Sequence, residues 1–430
     1  MIRYVHAEGD EGAAFLQALA LQRATVSAEA EEAVRPILTE VRERGDAALV
    51  EYAKRFDGVS LTPATLRVTR EEVERAYDEL RPEAVEALKL AAARIEAFHR
   101  RQLPHSWFLT EEGAVLGQLC RPLDQVGFYI PGGKAVYPST VLMNGIPAAV
   151  AGVKRKVMCT PVTADLRVHP AVLVAASLAG IGEIYKVGGA QAIAALAYGT
   201  ASVPRVDKIV GPGNIYVATA KRLVAGVVGI DTIAGPTEVV VVADESAEPA
   251  FVAADLLAQA EHDEMAMTLC ITVSERVAEG VVAELRRQLA DLPRRRIAEA
   301  SLAKNGGILV VPTLEAAFPL VNSIAPEHVE LHCQEPWSHL ERIRHAGAVF
   351  MGAFSPEALG DYVAGPNHVL PTGGTARFAS PLSVEDFLRR TSLLQFTAEG
   401  LHRLGAPAVT LALLEGLDGH ARAVRIRQKP

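Results

Sequence analysis

The stretch Ile230-Asp-Thr-Ile-Ala-Gly-Pro-Thr-Glu-Val-Val-Val-Val-Ala-Asp244 contains the turn and strand of one βα unit, and Gln259-Ala-Glu-His-Asp263 ends the helix that follows. The Gly-Pro turn leads into the valine-rich run 238–243, which is typical of a strand buried on both faces of a parallel sheet. The helix predicted after it ends at two possible metal ligands, Gln259 and His262. Because residues three apart share one face of a helix, both side chains can point at one ion.

Short apolar runs that alternate with helical segments extend this pattern in both directions. Each predicted strand before residue 230 stops at glycine, proline or a small polar residue, and these strands are 126–130, 156–159, 183–187 and 206–210. A second series consists of 238–243, 267–273, 307–311, 329–332 and 348–350. The alternation predicts an α/β fold with two Rossmann-like, doubly wound domains in tandem. In such sheets the ligand crevice lies at the carboxyl ends of the strands.

The flanking segments are predicted to be helical. Residues 1–22 form a separate N-terminal segment, and the helical region 23–120, with a capping box at Thr69-Arg-Glu-Glu72, is grouped with 236–381 in one domain. Residues 121–235 form the other domain. The helical tail 382–430 begins at a cap-like Ser383-Val-Glu-Asp386 and is strongly apolar at 411–417. Such a tail has to dock on its own body or on a neighbouring subunit.

Composition excludes several classes of protein. The 430 residues carry a net charge of −8 and no long basic cluster, so nucleic acid is not an expected partner. No apolar run reaches the ~18 residues of a membrane span, and the N-terminus lacks the layout of a signal peptide. The four cysteines are far apart in the sequence and are interpreted as structural thiols of a cytoplasmic protein.

Two glycine turns are candidates for a dinucleotide site. No GxGxxG motif follows any predicted strand, but Gly188-Gly-Ala-Gln191 and Gly211-Pro-Gly-Asn214 both stand between a strand and a helix. Their backbone amides could meet a phosphate at the amino end of that helix. A tight βα turn without a ligand explains the same glycines, so the residues alone leave both interpretations open.

A metal site and a catalytic pair are the other candidates. Possible metal ligands lie in turn-rich segments at Gln259, His262, Asp361 and His420, although spacing alone leaves a metal site and unrelated polar residues equally open. Glu327 and His328 are adjacent after a proline, where a polar connection is the simpler interpretation. Histidine, with a reference pKa of ~6.5, suits a general base at neutral pH, and a carboxylate suits the activation of water.

Several long motifs resemble the histidinol dehydrogenase family, and the resemblance covers nearly the whole chain. They are Tyr129-Ile-Pro-Gly-Gly133, Val187-Gly-Gly-Ala-Gln-Ala192, Ile209-Val-Gly-Pro-Gly-Asn214 and the segment 230–263. The resemblance implies one Zn²⁺ per subunit, held by Gln259, His262, Asp361 and His420. It also implies NAD bound in 121–235, at Tyr129, Gln191 and Asn214.

The resemblance further implies the roles of the catalytic and substrate-binding residues. His328 is expected to act as general base and Glu327 as activator of water. The substrate is expected to contact Thr237, Gln259, His262, Glu327, His328, Asp361, His368, Glu415 and His420. Since the family is a homodimer with shared active sites, Glu415 and His420 are expected to reach into the site of the partner subunit.

The activity that the resemblance implies is oxidation of L-histidinol through L-histidinal to L-histidine, the last steps of histidine biosynthesis, with two NAD⁺. Three alternatives remain open at the sequence level. One is a dehydrogenase of the same family that acts on another small polar alcohol. The others are a zinc hydrolase that uses no dinucleotide and a dimer joined by a metal without catalysis.

Overall fold

The structure, a computed structural model, describes residues 2–7, 10–23, 28–132 and 135–428. Gly133 of the first motif, and residues 1, 8–9 and 24–27 of the predicted N-terminal segments, lie outside that part of the chain. No helix in the described ranges is both long enough and apolar enough to span a membrane.

Strands and helices are numbered here in chain order. The strands of the described residues are Arg3–His6 (β1), Trp107–Glu111 (β2), Ala114–Pro122 (β3), Gln125–Tyr129 (β4), Arg155–Thr160 (β5), Glu183–Lys186 (β6), Lys208–Val210 (β7), Gly229–Ile230 (β8), Glu238–Ala243 (β9), Met267–Thr272 (β10), Gly306–Val310 (β11), His328–His332 (β12), Ala348–Met351 (β13) and Leu388–Phe396 (β14). The α-helices are Asp10–Arg23 (α1), Ala28–Arg44 (α2), Asp46–Tyr52 (α3), Arg70–Glu79 (α4), Pro82–His99 (α5), Pro138–Ala151 (α6), Pro170–Leu178 (α7), Gly189–Tyr198 (α8), Ile215–Val224 (α9), Pro249–Ala260 (α10), Glu275–Leu289 (α11), Arg295–Asn305 (α12), Leu314–Ile324 (α13), Glu357–Tyr362 (α14), Ala398–Leu414 (α15) and Asp418–Arg425 (α16).

A five-stranded parallel sheet forms from the first predicted series. Its order is β6-β5-β4-β7-β8, which is the 3-2-1-4-5 order of a doubly wound sheet. Helices α6 and α7 cover one face, and α8 and α9 cover the other. All four predicted strands are present, with ends that differ by at most two residues. The prediction of a parallel α/β fold is therefore confirmed.

A six-stranded parallel sheet forms from the second series and repeats the same winding. Its order is β1-β11-β10-β9-β12-β13, and its two faces are buried under α10, α11 and α12 and under α1 and α13. All five predicted strands of this series are present. Strand β1 was not predicted, because four residues with polar members carry no clear alternation. It extends the sheet by pairing in parallel with β11.

The helices between residues 28 and 99 pack on the five-stranded sheet. Helix α2 contacts α8 and α9, α4 contacts α7, and α5 contacts α6. The apolar stripe of α2, with Val34 and Val41 fully buried, lies in the same core as α8 and α9. The predicted grouping of 23–120 with 236–381 differs from this packing, because an amphipathic pattern identifies a buried face without saying which sheet covers it. The remaining domain boundaries stay predictions.

The C-terminal tail begins with a strand, and the prediction of a wholly helical tail is wrong in this respect. Strand β14 pairs antiparallel with all nine residues of β3, and β2 pairs on the other side of β3. β14 is largely exposed, so its sequence lacks the apolar alternation of a half-buried strand. Helices α15 and α16 follow it. The predicted capping boxes at Thr69 and Ser383 are both present.

Candidate active site

The residues predicted to bind NAD lie at the carboxyl edge of the five-stranded sheet. Tyr129 ends β4, Gln191 lies in the first turn of α8 after β6, and Asn214 caps α9 after β7. The Tyr129 hydroxyl accepts a hydrogen bond of 3.1 Å from the Gly189 amide. Strands β4 and β7 are neighbours at the point where the strand order reverses, which is the ligand position of doubly wound sheets.

The turn between β7 and α9 is held by a buried ion pair. Lys221 and Asp231 form the pair, and both side chains are almost fully buried. Lys221 Nζ donates to the Gly211 carbonyl at 3.0 Å, while Asp231 Oδ2 accepts from the Gly211 amide at 2.7 Å. Gly211 has φ +118°, and a Cβ there would lie 2.1 Å from the Tyr129 carbonyl oxygen. The pair therefore fixes a turn that only glycine can form.

The predicted catalytic residues lie at the amino edge of the six-stranded sheet. Thr237 precedes β9, Glu327 precedes β12, and His328 is the first residue of β12. This differs from the expectation that the crevice lies at carboxyl ends of strands. His368 Nε2 lies 3.3 Å from Thr140 Oγ1, in the first turn of α6 that follows β4. The crevice therefore lies between the carboxyl edge of one sheet and the amino edge of the other.

A hydrogen-bonded chain orders Glu327, Thr237 and Gln259. Glu327 Oε2 accepts from Thr237 Oγ1 at 2.5 Å and from the Glu238 amide at 3.0 Å. Since the Thr237 hydroxyl has donated its only hydrogen, it accepts from Gln259 Nε2 at 2.7 Å. Gln259 Oε1 is buried and has no hydrogen-bond partner among the described residues. The chain thus leaves one buried amide oxygen available to a ligand.

His328 is oriented as a neutral imidazole. Its Nδ1 donates to the Glu238 carbonyl at 2.9 Å, so its Nε2 carries a free lone pair. Burial lowers the pKa of His328 to about 4, despite the charge of Asp361 and the hydrogen bond to Glu238, which act in the opposite direction. A neutral imidazole at pH 7 can accept a proton. His328 lines a cavity of about 300 Å³ together with Phe350, Asp361 and His368.

Burial shifts the pKa of the neighbouring carboxyl group in the opposite direction. It raises the pKa of Glu327 well above its usual range, and the hydrogen bonds from Thr237 and the Glu238 amide offset this only in part. A carboxylate with a raised pKa is a stronger base once it is ionised. The pair therefore offers an imidazole that is unprotonated at neutral pH and a carboxylate that binds a proton readily.

His262, Asp361 and His368 complete the part of the site that one chain supplies. Helix α10 ends at Ala260, so His262 lies in the next turn, where its amide still donates to the Gln259 carbonyl at 3.2 Å. Nδ1 of His262 donates to the Ala258 carbonyl at 3.0 Å, and Nδ1 of His368 donates to the Asp361 carbonyl at 3.0 Å. His262 therefore keeps Nε2 for a ligand, whereas Nε2 of His368 lies 3.3 Å from Thr140 Oγ1 and would have to exchange that partner for a ligand.

Glu415 and His420 lie apart from this group within one chain. Glu415 follows α15, His420 lies in α16, and both are exposed. Neither side chain forms a hydrogen bond or an ion pair with another described residue. The structure therefore brings together Thr237, Gln259, His262, Glu327, His328, Asp361 and His368.

Two neighbours of His328 were missed by sequence reasoning. The backbone of Glu238 holds both catalytic residues, and Glu357 Oε2 lies 3.8 Å from His328 Nδ1. Burial raises the pKa of Glu357 well above its usual range. Glu357, His328 and Asp361 have ligand atoms within 4.8 Å of one another, as do Asp255, Glu330 and His332. For Glu330 and His332 the available signal was a titratable residue at every second position of the otherwise apolar β12.

Known proteins match this chain over nearly its whole length. The family model described as histidinol dehydrogenase matches residues 21–428. The histidinol dehydrogenase of Syntrophotalea carbinolica is 55% identical over 430 residues, covering 100% of both chains. That of a Synechococcus strain is 54% identical over 400 residues, covering 93% of this chain and 92% of the relative. The crystal structure of histidinol dehydrogenase from Elizabethkingia anophelis has a TM-score of 0.93 at 37% identity, covering 99% of this chain and 98% of that one. The chain therefore belongs to the histidinol dehydrogenase family.

Proposed function

We propose that this protein oxidises L-histidinol through L-histidinal to L-histidine with two NAD⁺, at a site that holds one Zn²⁺ per subunit. The observation that carries the proposal is the hydrogen-bonded chain from Glu327 through Thr237 to Gln259, beside a neutral His328. It supplies two adjacent bases and one buried amide oxygen that has no hydrogen-bond partner among the described residues. The family match supports L-histidinol as the substrate.

The residues present fit a zinc ion. Gln259 Oε1 is a buried oxygen without a partner, and the Nδ1 bond of His262 directs its Nε2 towards a ligand. Asp361 adds a carboxylate, and His420 of the partner subunit would complete the set. Two imidazoles, one carboxylate and one neutral amide leave most of the Zn²⁺ charge uncompensated, so a bound ion would attract a substrate nitrogen and polarise oxygen without redox chemistry.

The first half-reaction would use His328. Its Nε2 would take the hydroxyl proton of the alcohol as the carbinol carbon loses a hydride, for which bound NAD⁺ would supply the acceptor; the products are the aldehyde, NADH and a protonated His328. The hydrogen bond from Nδ1 to the Glu238 carbonyl keeps Nε2 as the acceptor. Because its orientation is fixed, the imidazole ring does not need to flip between catalytic cycles.

The second half-reaction would use Glu327. The carboxylate would remove a proton from water as the water oxygen attacks the aldehyde carbon, and the resulting hydrate anion would lose a second hydride, for which another NAD⁺ would supply the acceptor. The carboxylic acid product then ionises. Thr237 and the Glu238 amide hold one oxygen of Glu327, so the other oxygen remains for water. Because the two bases are adjacent, with Glu327 Oε2 3.7 Å from His328 Nδ1, the aldehyde need not leave between the steps.

A homodimer would complete the site. Glu415 follows α15 and His420 lies in α16, and both are exposed near leucines of α15 that are also exposed: Leu411 and Leu414 have 61% and 79% of their surface accessible. A second copy that covered these leucines would bring Glu415 and His420 to the neighbouring crevice. The cysteines that the structure describes are free thiols, which supports a location in the cytoplasm.

The test follows NADH absorbance when purified protein meets a limiting amount of L-histidinol and excess NAD⁺. About two NADH per histidinol, lost with a chelator and restored by zinc, is the expected result. One NADH per histidinol would mean that the aldehyde escapes. If the protein oxidised another small polar alcohol and did not oxidise histidinol, it would be a dehydrogenase of the same family with a different substrate. Hydrolysis of an ester or amide without any NADH would favour the zinc hydrolase.

A further inference from the structure

Three buried titratable residues, Asp255, Glu330 and His332, form a cluster beside the site. His332 Nε2 lies 3.2 Å from Asp255 Oδ2 and 3.6 Å from Glu330 Oε2. The three residues are 2%, 8% and 1% exposed, respectively. Charged side chains are rarely this deeply buried unless they are paired, so their arrangement requires an explanation.

This cluster connects three elements that also carry residues of the active site. Asp255 lies in α10, one helical turn before Gln259. Glu330 and His332 lie on the face of β12 that also presents His328, because alternate residues of a strand share a face. Glu330 Oε1 accepts a 2.7 Å hydrogen bond from the Glu357 amide, at the start of α14 and one turn before Asp361.

A protonated imidazole lies at the centre of the cluster. Burial alone would lower the pKa of His332, but hydrogen bonds and charges from Asp255 and Glu330 outweigh it and raise that pKa to about 9. At neutral pH the imidazole is therefore a cation between two carboxyl groups. Removal of the cation would leave buried carboxylates facing each other, and the elements that carry them would separate.

We propose that Asp255, Glu330 and His332 are positioning residues that hold α10, β12 and α14 in register and so set the affinity of the site for zinc. The inference rests on the proposed function, because Gln259 and Asp361 are zinc ligands only under that proposal. A residue in the layer behind metal ligands commonly changes metal affinity by 10–100-fold. In this protein the three residues would position whole elements, because each member of the cluster lies at least one helical turn or one strand repeat away from the site residue that it positions.

The test is the zinc dissociation constant of the metal-free dimer, measured by competition with a chromophoric chelator. His332→Gln removes the cation and retains a hydrogen-bond donor, and Asp255→Asn removes one carboxylate. We expect each variant to bind zinc roughly 10-fold or more weakly than the unmodified chain. At saturating zinc, kcat should recover more fully than KM, because the bases Glu327 and His328 are unchanged.

A matched control comes from the opposite face of the same sheet. Asn322 is buried in α13, where it donates to the Arg342 carbonyl at 2.8 Å and accepts from the Arg344 amide at 2.7 Å. Asn322→Ala should lower the midpoint of thermal unfolding, as His332→Gln does, while leaving the zinc affinity unchanged. The comparison separates a positioning effect from a general loss of stability.

Three results would overturn the inference in distinguishable ways. Unchanged zinc affinity in His332→Gln and Asp255→Asn, with normal binding in the unmodified chain, would refute the inference alone. Two zinc ions per chain, one of them lost in His332→Gln, would show that the three residues are themselves a metal site. An unmodified chain that binds no zinc would refute the proposed function and, with it, the inference.

Discussion

Thr237 is the residue on which the order of the catalytic group depends. Its hydroxyl donates to Glu327 and accepts from Gln259, so one side chain fixes both the carboxylate and the direction of the amide. Without that hydroxyl, Gln259 Nε2 would keep only the long 3.4 Å contact with His328 Nδ1 among the described residues, so little would favour the amide oxygen over the nitrogen as the atom facing the crevice. The hydroxyl oxygen of Thr237 thus links the proposed base Glu327 to the proposed zinc ligand Gln259.

Replacement of Thr237 should therefore affect metal binding and catalysis together. Thr237→Val keeps the shape and removes the hydroxyl, and we expect kcat/KM for histidinol to fall by roughly 10–100-fold, with weaker zinc binding. Thr237→Ser keeps the hydroxyl and should retain most of both. The measurements are steady-state NADH formation and chelator competition. Equal behaviour of the two variants would show that the hydroxyl has no ordering role.

Glu327→Gln should separate the two half-reactions. The amide cannot take a proton from water, whereas His328 remains able to take the alcohol proton. We expect hydration and oxidation of the aldehyde to slow by ~10²–10⁴-fold. NADH formation from limiting histidinol should then stop near one equivalent within the time in which the unmodified enzyme forms two. Trapping the aldehyde with a hydrazine would identify the product, and two equivalents at an unchanged rate would contradict the assignment.

At the scale of elements, the glycine turn after β7 depends on a charge pair from elsewhere in the chain. Lys221 extends from α9 back to the Gly211 carbonyl, and Asp231 extends from the segment after β8 to the Gly211 amide. Both backbone groups of Gly211 are therefore satisfied by buried charged side chains. The turn that carries Asn214 is held by these two contacts.

Loss of one partner of this pair should unfold the turn. Lys221→Met leaves Asp231 buried without its cation, and we expect the free energy of unfolding to fall by about 3–5 kcal/mol, with weaker NAD binding. The double variant Lys221→Met/Asp231→Asn removes both charges and should regain part of that loss. Urea unfolding and NAD titration by calorimetry give the two quantities. If the double variant were no more stable than the single one, the pair would not be the cause.

The elements differ in how far the sequence predicts them, for physical reasons. The valine-rich strand β9 lies at its predicted bounds, because a strand buried on both faces needs a continuous apolar run. Strands β2 and β14 were missed, since their side chains are largely exposed and no pattern distinguishes them from loops. The residues of the site were identified by resemblance. Their position at the amino ends of β9 and β12 depends on how two sheets face each other, which no local pattern encodes.

At the scale of the whole molecule, pH should act on stability through His332. Its pKa is about 9 in the folded chain and ~6.5 when unfolded, so its protonation stabilises the fold fully below pH ~6.5. That contribution is lost as pH rises through 9 and amounts to at most about 3 kcal/mol. The urea midpoint should therefore fall between pH 6.5 and 9, more steeply in the unmodified chain than in His332→Gln. Parallel slopes would contradict the raised pKa.

The shared site of the proposed dimer can be tested by mixing two inactive variants. His328→Asn removes the base from one chain, and His420→Asn removes the residue contributed to the partner. In a mixed dimer, one of the two sites combines an intact His328 with an intact His420. After the subunits are mixed at random, about a quarter of the full activity should return. No recovery in verified mixed dimers would mean that each chain completes its own site.

The exposed leucines of α15 also have a consequence for biosynthesis. A newly made chain that has not yet met a second copy would expose Leu411, Leu413 and Leu414 to solvent, with 61%, 42% and 79% of their surfaces accessible. Apolar surface of this kind attracts chaperones and other unfinished chains until it is covered. Because the three leucines lie together near the end of α15, they remain an aggregation-prone surface on each chain until a second copy covers them.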